Sequence, residues 1–403
     1  MTAQAEPATD PSPFAFRIGI GNPVLFVLVV AAVVAAVTTG FVSVAPNRLV
    51  SGRPLMLWEA AGGVWTFLLI APGALLLATA LTPPQRTLSG AAGTVATATL
   101  LLLLAALGHA SGNLARAAGP AARVSAGTAF WVMAGCAALA VVDSLQRLHA
   151  GPVLRIAAVV AVGGGVAALA LAGVFDDLSI AHEYATRHAL FAAALTRHVA
   201  LVAGSVGPAV AIGFPLGALA AKRQRLQGPL FAVLNLLQTV PSIALFGLLI
   251  APLSALAAAL PWLAALGVGG IGPAPAIIAL VLYALLPIVR NTTIGLAGID
   301  PAIVDAAAGM GLTQRQVFWR IELPLALPVL LAGLRIVIVQ TIGLAVVAAL
   351  IGAGGLGTFV FEGLGQYAID LVLLGALPAI FMALAADFVL QMVSALPLNR
   401  IPE

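Results

Sequence analysis

DAAAGMGLTQRQVFWRIELP, residues Asp305 to Pro324, is a short island of mixed polarity in a chain that is otherwise mostly apolar. On both sides the sequence returns to apolar runs long enough to cross a bilayer, so the island must sit outside the hydrocarbon, tethered at both ends. Its local signals read as two short helices joined at a hinge. Asp300 caps the first, and Pro301 takes the first helical position, where a missing N–H costs nothing. Ile303, Ala306, Ala307 and Met310 fall at helical spacing and predict one apolar stripe. Gly311 stands where a helix-ending glycine is expected. Thr313 and Gln316 form a T-x-x-Q capping box, flanked by Leu312 and Val317 as a hydrophobic staple. Val317, Phe318 and Ile321 continue an apolar face, while Arg315 and Arg320 stay polar. Pro324 and Pro328 mark the entry to the next long helix. Taken alone, the stretch reads as an amphipathic linker lying on the membrane surface.

Outside the island, the 403 residues are 62% hydrophobic and 8% charged, with a mean hydropathy of +1.13. Many apolar runs exceed the ~18 residues that mark a membrane-crossing helix. The runs are continuous rather than alternating, which argues against membrane strands. The fold class is therefore an all-α polytopic membrane protein with about ten transmembrane helices. The net charge is +4. Its basic residues are scattered as membrane-flank charges, not gathered into a nucleic-acid patch. The single cysteine, Cys136, lies in an apolar run, so no internal disulfide forms. Residues 1–20 read as a disordered cytoplasmic N-terminus. The run after them is too long for a signal-peptide core and reads as a retained helix.

Residues 21–175 read as a membrane extension of about five helices, 176–197 as an external connection, and 198–396 as a second set of about five. Residues 397–403 form a cytoplasmic tail. Gly163, Gly164 and Gly165 predict close helix contact in the fifth span. Asp143, near a helix end, is expected to snorkel to water rather than relay protons. In the second half Lys222, Arg223, Arg225, Arg290, Arg315, Arg320 and Arg400 all land on one side, which the positive-inside rule makes the cytoplasm. Both termini are then cytoplasmic. Residues 251–274, broken by prolines and glycines, read as an external loop or partly re-entrant segment. His182, Glu183 and His188 are spaced H-E-x-x-x-x-H, which does not put both histidines on one helix face, and no metal site is assigned.

The island resembles the EAA loop of ABC-importer permeases. Asp305-Ala306-Ala307 is followed in register by Gly311 and then by Ile321, Leu323 and Pro324, with Asp in place of Glu at the first position. Three further motifs, Gln238-Thr239-Val240-Pro241-Ser242, Pro287 to Thr292 and Gly352 to Gly357, look like the osmoprotectant (glycine betaine, choline, carnitine) branch, which shares them with methionine-type importers. The resemblance covers about His198 to Leu396. It implies a five-helix type I ABC permease core in the C-terminal half, with residues 300–324 as the coupling loop that docks on a cytoplasmic ATPase. Asp305, Ala306, Ala307, Gly311, Arg315, Trp319, Arg320, Ile321, Leu323 and Pro324 carry that loop. It also implies alternating access driven by an ATPase dimer that holds the ATP and Mg, with a second permease chain, identical or sibling, and an external substrate-binding protein. The location implied is the inner membrane.

Polar groups at bilayer depth are candidates for lining a solute path: Gln238, Thr239 and Ser242 in one cluster, Gln340 and Thr341 in another. Helix-to-helix bonding is the competing reading for each. Gly352, Gly354, Gly355 and Gly357 form a gate or a plain turn. Arg335 and Asp387 lie at equal expected depth, roughly 14 Å from their helix ends, and predict an intramembrane ion pair. The chain contains no G-x-x-x-x-G-K-[ST] phosphate loop, so ATP hydrolysis belongs to another chain. Two alternatives stay open: a permease for methionine or another amino acid, and an ion-coupled secondary transporter.

Overall fold

The computed structural model describes residues 20–394 apart from 48, 49, 51, 84, 120 and 266. The expected terminal tails at 1–20 and 397–403, with Arg48 and Arg400, lie outside the described residues save for Ile20. The chain divides into two compact units, Met1–Leu178 and Ser179–Glu403. Among the described residues, nine helices are long and apolar enough to cross a membrane, and a tenth apolar helix has 16 residues.

The first unit opens with α1 (Pro23–Thr38), capped by the Asn22 side chain, which accepts from Leu25 N–H at 3.1 Å. The helix stops at Thr38, short of a full crossing, because the chain turns into β1 (Val42–Ala45). β1 is the middle of a three-stranded antiparallel sheet, paired with β2 (Arg53–Leu55) on one side and β3 (Arg123–Ala126) on the other. Three- and four-residue strands are too short for alternation to show in the sequence. Phe41, fully buried, packs edge-on against Phe130 below this sheet.

After α2 (Leu57–Ala60) come α3 (Gly62–Leu81), α4 (Arg86–Ala118), α5 (Thr128–Arg147) and α6 (Pro152–Leu171). The 33 residues of α4 rise about 50 Å, well beyond the ~30 Å hydrocarbon layer. Its last turns are polar: Arg116 donates to Gly112 O at 2.8 Å and to Asn113 Oδ1 at 2.9 Å. Leu25, Val29, Leu76, Ala96 and Ala140 pack the centre of the α1, α3, α4, α5 bundle. Of the three consecutive glycines in α6, only Gly165 sits against another helix, at Leu101 of α4; nothing lies within 4 Å of a Cβ at Gly163 or Gly164. Asp143 does not snorkel alone. It takes Arg147 Nε at 2.9 Å and Asn22 Nδ2 at 2.7 Å, while Arg147 Nη2 donates to Asn22 Oδ1 at 2.7 Å.

The second unit begins with α7 (Ser179–Lys222), so the connection expected at 176–197 is largely helical and runs into the first span across a kink at Arg187. One of the five spans expected here is instead two helices, α8 (Gln224–Thr239) and α9 (Ser242–Ala259), broken at Val240-Pro241. The short α10 (Pro261–Ala265) leads to α11 (Pro273–Ala297). Then come α12 (Pro301–Gly309), α13 (Gln314–Val317), a π-helical turn over Phe318–Glu322, α14 (Leu323–Val347), a 3-10 turn over Ala348–Ile351, α15 (Gly357–Gly365) and α16 (Ile369–Ser394).

The most closely packed helices of this unit are α7 and α11, and small residues allow it. A Cβ at Gly213 would press on Ile288, and one at Gly217 on Thr292 and Val289 O. Thr293 Oγ1 donates to Gly217 O at 3.1 Å across the same seam. Gly333 of α14 meets Asn291 of α11 in the same way, and Gly375 of α16 meets the Leu356 carbonyl before α15. Leu201, Phe246, Leu280, Tyr283 and Ile351 fill the core between these elements.

Candidate functional site

The loop between α11 and α14 is built by its own caps. Asp300 Oδ1 accepts from Ala302 N–H at 2.9 Å and starts α12. At its end Gly311 adopts φ +85, and Leu312 N–H reaches back to Ala307 O at 3.3 Å, which closes the helix. The capping box then starts α13: Thr313 N–H donates to Gln316 Oε1 at 2.8 Å, and Gln316 N–H to Thr313 Oγ1 at 3.4 Å.

The apolar stripe expected on α12 divides between two directions. Ala307 is 2% exposed and turns inward, while Ile303, Ala306 and Met310 face out, Met310 at 72%. Asp305, Gly311, Arg315, Arg320 and Pro324 are also exposed, Ile321 and Leu323 half-buried, and Trp319 is 55% exposed. Ile303, Met310 and Trp319 are thus exposed apolar side chains on a loop that also exposes Asp305, Arg315 and Arg320.

Sequence reasoning missed how this surface is tied to the bundle. Phe318, in the π-helical turn, lies 6.4 Å from the Phe214 ring of α7. Lys222, at the end of α7, holds its ammonium 5.0 Å over the Phe318 ring and 3.8 Å from Glu322. The wider π-turn sets Phe318 inward and leaves its neighbour Trp319 outward. Lys222 is the only lysine in the chain, a signal that could have drawn attention to it.

Among the described residues no hydrogen bond joins the two polar clusters. Gln238 Nε2 donates to Tyr283 O at 2.7 Å, Tyr283 OH donates to Val240 O, and Thr239 Oγ1 donates to Leu236 O at 2.7 Å. These bonds hold the α8–α9 break. Thr239 is exposed, Ser242 and Gln340 half-buried, and Thr341 buried.

The glycine run is a turn with three left-handed residues, Gly352, Gly354 and Gly355, and Gly357 starts α15 with the Val346 carbonyl where a Cβ would be. It is anchored from α7, where Arg197 Nε donates to Ala353 O at 3.0 Å and His198 Nε2 lies 3.1 Å from Ile342 O. Further out, Arg187 bridges to Glu362 at 2.7 Å.

Arg335 of α14 and Asp387 of α16 form a two-pronged pair, Nε to Oδ1 and Nη2 to Oδ2, the latter at 2.8 Å. The side chains are about a third exposed within the chain. Asp143 and Asp387, the two acids singled out from the sequence at or inside spans, are therefore each held by an arginine.

Two family models match this chain. Residues 18–181 match "ABC transporter permease YehY, N-terminal domain", and residues 213–396 match "Binding-protein-dependent transport system inner membrane component". The osmoprotectant import permease protein OsmW of Salmonella typhimurium strain LT2 is 40% identical over 210 residues, 52% of this chain and 93% of that protein. This chain belongs to the ABC-importer permeases.

The carnitine transport permease protein OpuCB of Listeria monocytogenes is 39% identical to this permease over 48% of the chain and 82% of that protein. The glycine betaine/carnitine/choline permease OpuCD of Bacillus subtilis strain 168 is 38% identical over 48% and 78%. Among solved structures, a chain of the MetNI methionine ABC transporter in inward-facing form is similar at 22% identity, over 53% of the permease and 99% of that chain, with a TM-score of 0.46. The permease is the multi-pass inner-membrane subunit of an importer. Subunits of this kind are not enzymes, and the ATPase is a separate chain.

Proposed function

We propose that this permease imports a small osmoprotectant of the glycine betaine or choline kind by alternating access, moved by a cytoplasmic ATPase dimer that grips residues 300–324. The observation that carries this reading is the exposure of Ile303, Met310 and Trp319 on a loop pinned to α7 by Lys222 and Phe318. A capped helix pair with exposed apolar side chains suits a cleft in a partner, and the Phe318 and Lys222 contacts give a rigid path from that partner into α7. Gly311, exposed and with open space around it, lets the partner approach closely. Lys222, Arg315 and Arg320 lie with this loop, which supports a cytoplasmic placement for it and for both termini.

ATP and Mg belong on the partner ATPase, an external binding protein delivers the solute, and a second permease chain, identical or sibling, completes the pore. The N-terminal unit, residues 21–175, is an addition to a permease core over 198–396. The split between units at Leu178 and the separate family model for 18–181 favour that division. Gln238, Thr239, Ser242, Gln340 and Thr341 remain candidates for the path, with Gly352 to Gly357 as a gate or turn at its end. An ion-coupled mechanism is disfavoured because Asp143 and Asp387 are each occupied by an arginine rather than left open to a coupling ion.

The test is uptake of labelled glycine betaine into proteoliposomes holding the permease, its ATPase and its binding protein, with methionine as the comparison solute. Gly311→Asp has open space around the new side chain but strains a backbone at φ +85, so Gly311→Asn, with the same strain and no charge, is the control for the charge placed on the docking face. Uptake should require ATP, prefer betaine, and fall at least tenfold in the variant. Uptake unchanged in Gly311→Asp, or driven by an ion gradient without ATP, would refute the proposal.

A further inference from the structure

The N-terminal unit contains a cavity that transport does not explain. It is about 460 Å³, bounded by α1, α3, α4 and α5, with Leu76, Leu103 and Ala140 on its inner wall. Its lining includes Val33, Val37 and Ile70, which are more than half exposed, so it opens at the surface of the unit. An apolar cavity of ~150 Å³ stays dry and takes up a small hydrocarbon. This one is about three times larger and lies among helices of membrane-spanning composition, where the surrounding apolar material is lipid chain.

A second cavity, about 540 Å³, lies at the end of the same bundle where α4 begins and α5 ends. It is lined by Gln85, Arg86, Ser89, Arg147, Leu148 and His149. No carboxylate lines it. Arg147 is partly neutralised by Asp143, but Arg86 is exposed and makes no ion pair among the described residues. The two cavities are close along the chain. Ala140 lines the first and Arg147 the second, seven residues or about 10 Å apart on α5. Arg147 also donates to Asn22, three residues before Leu25, which lines the first cavity.

We infer that the N-terminal unit binds one anionic phospholipid, an acyl chain in the apolar cavity and its phosphate head against Arg86, Arg147 and His149. The cationic lining selects a net negative head over a zwitterionic one. The apolar cavity, not the charge alone, holds the lipid in place.

Native mass spectrometry of the full-length permease in detergent, titrated with dioleoylphosphatidylglycerol or dioleoylphosphatidylcholine, tests this. One phosphatidylglycerol should be retained at concentrations where phosphatidylcholine is lost. Gly73→Leu puts a side chain into the cavity from a position where a Cβ meets nothing within 4 Å, and it should abolish retention without disturbing the fold. Arg86→Gln removes an exposed charge and should weaken phosphatidylglycerol about fivefold, the ~1 kcal/mol of one basic residue at an anionic surface, leaving phosphatidylcholine unchanged. Equal retention of the two lipids, or no effect of either variant, would overturn the inference. Displacement of the lipid by millimolar inorganic phosphate would overturn the acyl-chain half, because it would show a free-anion site.

Discussion

Removing one partner of the Arg335–Asp387 pair should cost the permease about as much as removing both. The pair joins α14 to α16 through two contacts in parallel, a geometry that only arginine and a carboxylate provide. Arg335 lies 12 residues into α14, about 18 Å along its axis. An unpaired charge near the centre of a membrane helix costs about 2.5–3.5 kcal/mol. The side chains here are 39% and 32% exposed within the chain, so part of that cost is relieved and about 2 kcal/mol is the working figure. Arg335→Leu and Asp387→Leu should each lower stability by that amount, roughly a 30-fold shift in the folding equilibrium. The double variant leaves no charge without a partner and should lose less than the sum of the singles, giving a coupling energy of about 2 kcal/mol. Reversible unfolding in mixed micelles measures the cycle, and solute uptake provides a second readout. Arg335→Asp with Asp387→Arg should recover part of what each reversal loses. Additive single effects, together with no recovery in the reversed pair, would show that the contact does not hold these helices.

Lys222→Met should leave assembly intact but lower solute moved per ATP hydrolysed, because the α12–α13 loop loses both its Phe318 and its Glu322 contact; an unchanged ratio would free Lys222 of that role. Tyr283→Phe removes the bond to Val240 O at the α8–α9 break, worth about 1 kcal/mol, and should speed amide exchange over residues 238–246 while α11 stays protected. Asn22→Asp keeps a good helix cap but sets a second carboxylate beside Asp143. It should lower the unfolding temperature more than Asn22→Ala, which loses the cap at about 1 kcal/mol; the reverse order would place the role of Asn22 in capping alone.

The loop's caps were legible in the sequence because each is a contact between near neighbours: Asp300 with Ala302, Thr313 with Gln316, and the turn at Gly311. Continuous apolar runs likewise gave membrane helices in about the right number, since the bilayer fixes their length. The break at Val240-Pro241 was visible as a proline beside polar residues, yet its consequence, two helices in place of one span, depends on Tyr283 and Gln238 meeting across 45 residues. The small sheet was invisible because its strands are short and one partner of its central strand comes from about 80 residues away.

Periodicity and capping are local, so the residues alone show most of the apolar helices, where the loop at 300–324 bends, and that Arg335 and Asp387 need company. Which of Phe318 and Trp319 is covered is a matter of packing. It depends on where Phe214 and Lys222 arrive from α7, and no spacing rule within the loop carries that information. The same holds for the arginine held beside Asp143 and for the two cavities of the N-terminal unit, which exist only where separate helices converge.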